Sequence, residues 1–280
     1  MPADAAGGVL EIDLGAIVAN WRLLCRMHPS GPVAGVVKAD GYGLGAAMVA
    51  PALHAAGCRH FFVALLDEAL AIRDRVPDAM VAVLNGLPAG AEPDFLAAAI
   101  TPVLGSLAEV DRWRAAAGRA GRVLPALLHV DTGMARLGLD ARELAVLAQD
   151  HGRLAGIGLR YVMTHLVASE EPDNPLNRRQ REAFAAACAV LPPAPRSLAN
   201  SSGIFLGADW GSDLARPGAA LYGINPVPGR PNPLRQVVRL SAQVLTVRDV
   251  PVGGTVGYNA TWTARRPSRI ATAAIGYADG

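Results

Sequence analysis

The sequence predicts an α/β protein: a (β/α)8 barrel followed by the start of a C-terminal all-β domain that is incomplete in this chain. Three observations carry that prediction. Short apolar runs alternate strictly with longer stretches rich in Ala, Leu, Arg and Glu through roughly the first 225 residues, the pattern of a parallel sheet buried on both faces. Pro226, Pro228, Pro231 and Pro233, with Gly229 among them, then break the pattern as a linker. Beyond them the chain reads as strands only.

Residues 9–14 alternate apolar and polar side chains and read as a half-buried strand, expected to join the C-terminal β domain. Asp13 reads as the cap of a helix over 14–26, where Ile17, Trp21 and Leu24 keep helical spacing. Strand and helix pairs follow at 33–39 and 46–56, 60–66 and 68–75, 80–84 and 92–99, 101–104 and 107–117, 123–130 and 141–151, and 157–163 and 175–190. A strand at 197–200 and a short one within 214–222 bring the total to about eight units, which suits a closed barrel better than an open doubly wound sheet. Gly41, Gly43 and Gly45 lack the spacing of a dinucleotide-binding turn. After the linker, 237–247 alternates as a strand, 251–257 is a turn-rich crossover, and 258–264 and 270–277 are further strands. The expected domains are thus 1–225 and 226–280. Three or so strands hardly close a β domain, so the chain is expected to be a fragment or to be completed by a partner.

Composition narrows the function. Hydrophobic residues are 51% and charged ones 18%, enough for a large core and too apolar for disorder. The net charge is +2 with no basic run, which argues against nucleic acid and against an anionic membrane surface. Cys25, Cys58 and Cys188 are widely spaced and read as reduced core thiols of a cytoplasmic protein. No metal-ligand cluster appears, no apolar run reaches spanning length, and residues 1–8 do not read as a signal peptide.

Lys38 is the only lysine among 280 residues; the other 25 basic side chains are arginines. Arginine replaces lysine in most surface roles but cannot do its amine chemistry on a carbonyl. Composition alone leaves open an ordinary strand-end lysine. Barrel chemistry sits at the C-terminal ends of the strands, so the residues there carry the argument. Lys38, Asp40 and Tyr42 end the first strand; His129, Asp131 and Arg136 the fifth; Thr164 and His165 the sixth; Asn200, Ser201 and Ser202 the seventh; Arg216, Gly218 and Ala219 the eighth. Together they suit an anionic, carbonyl-bearing ligand, with Ser201 and the backbone near Gly218 as a phosphate cradle. Each has a plainer reading. His165 alone suits a core histidine, Asn200 and Ser201 suit caps of the next helix, and Arg136 suits a surface ion pair.

The motifs Val37-Lys38-Ala39-Asp40-Gly41-Tyr42-Gly43-Leu44-Gly45, Val130-Asp131-Thr132-Gly133-Met134 with Arg136-Leu137-Gly138, and Met163-Thr164-His165 run in order along the chain. So do Ala199-Asn200-Ser201, Arg216-Pro217-Gly218 with Leu221-Tyr222-Gly223, Val256-Gly257-Tyr258, and Ile275-Gly276-Tyr277-Ala278-Asp279-Gly280. On these motifs the chain resembles the alanine racemases, of the fold-type III pyridoxal-phosphate enzymes. The resemblance implies a barrel, a β domain and a head-to-tail homodimer. It implies that Lys38 carries pyridoxal 5′-phosphate, with Tyr42, His165, Asn200, Ser201, Arg216, Gly218 and Ala219 around the cofactor. It implies two catalytic bases, Lys38 and the partner's Tyr258, while Arg136 and Tyr277 meet the amino-acid substrate. Tyr258 also suits a plain cross-strand aromatic. The implied activity is racemisation of L- and D-alanine, supplying D-alanine for peptidoglycan. A racemase for another amino acid such as serine, and a non-catalytic cofactor-binding protein of the same fold, remain open.

His129 departs from the family pattern, in which many members have a lysine modified to a carbamate that holds the arginine matched by Arg136. This chain has no second lysine, so Arg136 is expected to be held by Asp131 or by a bound anion, and activity to be independent of bicarbonate.

Overall fold

In the computed structural model, which describes residues 7–279, the apolar runs pair in parallel and in chain order. Strand β1 (Gly8–Ile12) lies outside this sheet. The barrel strands are β2 (Gly35–Val36), β3 (His60–Val63), β4 (Met80–Val83), β5 (Thr101–Leu104), β6 (Leu124–His129), β7 (Ile157–Met163) and β8 (Arg196–Ser197), bonded in that order. Residues 214–217 close the ring. On one side Leu214 and Arg216 donate their N–H groups to Arg196 and Ala199. On the other, Ala215 donates to Pro32, and Ala34 and Val36 donate to Ala215 and Pro217. This is the eighth stave expected within 214–222. It ends early because Pro217 has no N–H to give and Ala219–Tyr222 winds into a 3-10 turn.

Val36, Phe62, Ala82, Val103, Leu127, Met163 and Leu214 form one buried cluster drawn from nearly every stave. A second apolar layer lies between strands and helices, with Phe61, Leu53, Ile72, Phe95 and Trp113 all but completely buried. Fully burying side chains of this size stabilises by about 1.5–3 kcal/mol each. The helices start where their caps dictate. Ser106 accepts the Glu109 N–H ahead of Leu107–Ala120, and Asp140 accepts those of Arg142 and Glu143 ahead of Ala141–Gln149. Asn174 caps Pro175–Val190, with proline in the first turn. No helix among the described residues is long and apolar enough to cross a membrane.

The chain divides into two compact units, Leu14–Val237 and the pair Met1–Asp13 with Val238–Gly280. The proline-rich segment goes with the barrel unit, where Val227, Leu234 and Val237 are buried. In the other unit β1 pairs antiparallel with β9 (Val238–Ala242), from Gly8 opposite Ala242 to Ile12 opposite Val238. Strand β10 (Val244–Val250) pairs with β13 (Ser268–Ala273), and β11 (Thr255–Val256) with β12 (Trp262–Thr263). The single strand expected over 237–247 is therefore two. At Gln243 the chain changes partner: its N–H bonds to Gly7 and its carbonyl accepts from Ala274. Residues 1–6, read above as no signal peptide, and Gly280, which ends the last motif, lie outside the described residues.

Phe62 is fully buried inside the barrel, whereas Leu70 is 45% exposed on a helix. Phe62→Ala is expected to destabilise by about 3–5 kcal/mol. Leu70→Ala is expected to stay within about 0.5 kcal/mol of the parent chain. Urea unfolding followed by circular dichroism checks the pair.

Candidate functional site

The site grows from the end of β2. Val37 still donates to Phe62 in the sheet, and Lys38 follows it directly. The next five residues, Ala39, Asp40, Gly41, Tyr42 and Gly43, all have positive φ, at 53°, 49°, 65°, 57° and 83°. This is one left-handed turn, closed by Gly41 N–H to Val37 O and Gly43 N–H to Ala39 O, each 2.8 Å. Side chains brace it. Glu68 accepts the Ala39 N–H at 2.6 Å while its other oxygen takes Ala64 N–H at 2.7 Å. Asp40 accepts the Ala46 N–H at 2.7 Å, which launches the helix Ala46–Ala55.

Lys38, Tyr42, His165, Asn200, Ser201, Arg216, Gly218 and Ala219 line one cavity of about 220 Å³ at the C-terminal rim. A neighbouring cavity of about 440 Å³ shares Lys38 and His165 and adds His129 and Arg136. The strand-end reading thus brings together nine of the proposed residues. Tyr258 and Tyr277 belong to the other unit, where they are 92% and 97% exposed.

One wall is built of donors. Ser201 Oγ accepts the Gly218 and Ala220 N–H groups at 3.0 and 3.2 Å. A Cβ at residue 218 would meet Tyr42 Oη at 2.0 Å, so glycine lets the phenol lie against the backbone. The Tyr42 ring also packs on Tyr222, centroids 4.6 Å apart. Asn200 does what both readings expected: it lines the cavity, and its Oδ1 caps the next turn by accepting the Gly203 N–H at 2.9 Å.

The charge at the rim is positive and unbalanced. Arg216 is 5% exposed, and its guanidinium is held by the Ser197 hydroxyl and the Thr164 carbonyl. Burial draws its pKa down to about 10, which leaves it charged at neutral pH. Burial, and then the Arg136 charge, lower the pKa of the Lys38 ammonium, against a smaller opposing pull from Glu68. His165 falls to about 3, through burial and then the charges of Arg216, Arg136 and Lys38. His129 falls to about 4, through burial and then Arg216. Both imidazoles are neutral. Asp131 does not hold Arg136, contrary to one of the two expectations. Its carboxylate accepts the N–H groups of Gly133, Met134 and Ala135 at the end of β6. Arg136 has no ion-pair or hydrogen-bond partner among the described residues.

Several supports were not read from the sequence. Glu68 looked like an ordinary first-turn helix acid, and its position near the start of Leu66–Arg73 was the only signal. Ser197 looked like part of a strand, and no local pattern pointed it at Arg216. Leu84 and Asn85, which line the larger cavity with Lys38, follow β4 without any motif.

Fold and rim define a class: a parallel barrel whose mouth sets one amine against an anion-holding donor wall. The comparisons name it. The family model for the alanine racemase N-terminal domain matches residues 12–226, and that for the C-terminal domain matches 237–280. An alanine racemase of Acidiphilium cryptum is 59% identical over 97% of this chain and 75% of its own length. A catabolic alanine racemase of Mesorhizobium japonicum is 53% identical over 99% of this chain and 73% of its own. Among solved structures, the alanine racemase of Bartonella henselae with covalently bound pyridoxal phosphate superposes with a TM-score of 0.92 at 43% identity, covering 98% of this chain and 77% of that one. The biosynthetic alanine racemase of Pseudomonas aeruginosa gives 0.89 at 34% identity, over 98% and 76%. The chain belongs to the alanine racemase family.

His129 supplies a pH test. Its folded pKa near 4 lies below the ordinary 6.5, so between those values the unfolded chain binds the extra proton. Its contribution is present above pH 6.5 and is lost as pH falls toward 4. Between pH 7 and 4.5 the parent chain is expected to lose about 2 kcal/mol more stability than His129→Gln. Urea unfolding of both at the two pH values checks this.

Proposed function

We propose that the chain interconverts L- and D-alanine, using pyridoxal 5′-phosphate as cofactor. The observation that carries the reading is the placement of the chain's one lysine on the same cavity that Ser201, Gly218 and Tyr42 line. The residues present fit the cofactor. The cradle has the Ser201 and Tyr42 hydroxyls and no acid, which suits a phosphate dianion, and the tight Gly218 contact keeps a side chain out of it. When bound, pyridoxal phosphate supplies a conjugated ring that draws electrons from the amino acid's Cα and acidifies its C–H bond.

The protein's residues then take these roles. Lys38 anchors the cofactor through its amine, and its lowered pKa favours the neutral form that accepts a proton at Cα on one face. Tyr258 of the partner subunit holds the proton on the opposite face. Its almost complete exposure suits a residue that completes a second copy's site. The neutral His165 and the charged Arg216 are assigned to the cofactor's surround on that side. Arg216 has donors only and would help hold the cofactor's ring without giving up a proton. Asn200 and Ala219 complete the cofactor's surround. Arg136, free of any acid, orients the substrate carboxylate, and Tyr277 lines the way in. The reading includes a head-to-tail homodimer in the cytoplasm, a barrel domain followed by a β domain that takes in the first strand, and D-alanine supplied to peptidoglycan.

Cofactor-loaded protein given L-alanine in deuterated water is expected to form D-alanine carrying deuterium at Cα. Absence of both products overturns the proposal. Lys38→Ala should abolish both and the cofactor's covalent attachment. Tyr258→Phe should keep the attachment and lose at least about a hundredfold in kcat. With His129 in place of a lysine, adding or removing bicarbonate should leave the rate unchanged, and a clear rise on addition would overturn that expectation.

A further inference from the structure

We infer that Gln180 is a positioning residue that sets the barrel rim at His165 and Arg216. The inference rests on the site reading above and adds to it a residue outside both cavities. Gln180 lies in the helix Pro175–Val190 and is only 2% exposed. Its amide is fully engaged. Nε2 donates to Thr132 Oγ1 at 3.1 Å and to the His165 carbonyl at 3.0 Å, while Oε1 accepts the Val167 N–H at 2.9 Å. Val167 presents an N–H, so only the oxygen end can face it, and the amide orientation is determined.

The run continues inward. Thr132 Oγ1 stands 2.7 Å from Thr164 Oγ1. Either hydroxyl can donate in that bond, since each has one proton and two lone pairs. The Thr164 carbonyl accepts from Arg216, whose other amino group is held by Ser197. Hydrogen bonds joined through the Thr164 residue itself therefore lead from the helix to Arg216, with the His165 main chain as a branch. Thr164 is 1% exposed and Ser197 fully buried, so water does not compete for the two bonds to Arg216. Among the described residues no carboxylate pairs with Arg216, and its place is set by two neutral acceptors. Moving the Thr164 carbonyl moves the guanidinium. One amide ties the loops after β6 and β7 to each other and, through Thr164, to the arginine.

The test uses cofactor-loaded protein and two substitutions that preserve shape. Gln180→Glu keeps the acceptor for Val167 and removes both donations. Thr132→Val is isosteric but lacks the hydroxyl, and Thr132→Ser restores it. The first readout is the pH midpoint of the cofactor's visible absorbance, which follows protonation beside Lys38 and Arg216. The second is kcat against KM for alanine. Gln180→Glu and Thr132→Val should shift the midpoint by about half a pH unit or more, since a buried charge has moved. They should lower kcat roughly ten- to hundredfold with KM nearly unchanged. Thr132→Ser should match the parent in both. A lower melting temperature with an unchanged midpoint and kcat would reduce Gln180 to a packing role and overturn the inference. If Gln180→Glu does not fold, the Thr132 pair decides. If the parent chain does not turn over alanine, the functional reading fails, and the absorbance midpoint alone decides the role of Gln180.

Discussion

Directly after Lys38 the backbone turns left-handed for five residues, and the barrel mouth depends on that turn. For residues with a side chain this region costs about 1–2 kcal/mol each. Ala39, Asp40 and Tyr42 all occupy it. The turn persists because its surroundings over-determine it. Glu68 ties the Ala39 N–H to the end of β3, and Asp40 turns the chain outward into the next helix. Local strain held by the fold at a functional position is a recognised pattern. Here its result is geometric: the amine and the Tyr42 phenol meet at one cavity, and the phenol lies against Gly218.

The mouth is also short of negative charge. Lys38, Arg136 and Arg216 face the cavities, while the nearby carboxylates of Glu68 and Asp131 are turned to backbone N–H groups and Glu68 offsets the Lys38 charge only in part. Burial, and then the same cations, keep His129 and His165 neutral. Clustered cations with low-dielectric walls focus a positive potential into the cavities. Such a field suits a ligand bearing both a phosphate and a carboxylate.

Much of this was legible in the chain, for reasons that differ by residue. Lys38 stood out because nothing else in the sequence could do its chemistry. The rim residues were readable because apolar strand runs reveal where strands end, and barrel chemistry collects there. The helix Pro175–Val190 was readable from its proline start. Other features depend on partners far along the chain. The closing stave at 214–217 is defined by bonds to two flanking segments and has little pattern of its own. The break at Gln243 reflects a change of partner between β1 and β13. Asp131 was matched to Arg136 by charge, but three nearby N–H groups outbid the guanidinium. Gln180 sits among Arg178, Arg179 and Arg181, where a polar residue reads as solvent-facing, although the fold buries it.

The lone lysine has a practical consequence. A half-buried ammonium with a lowered pKa is a more reactive amine than a surface one, and no other side chain here competes with it. Apart from the chain terminus, any amine-directed reagent has a single address, and that address is a wall of both cavities. Counting modified amines by mass therefore measures how many cavities are accessible, and cross-linkers that bridge two lysines have no intramolecular target. The arginine-coated exterior leaves this protein with one natural, site-specific chemical handle, located at its centre of function.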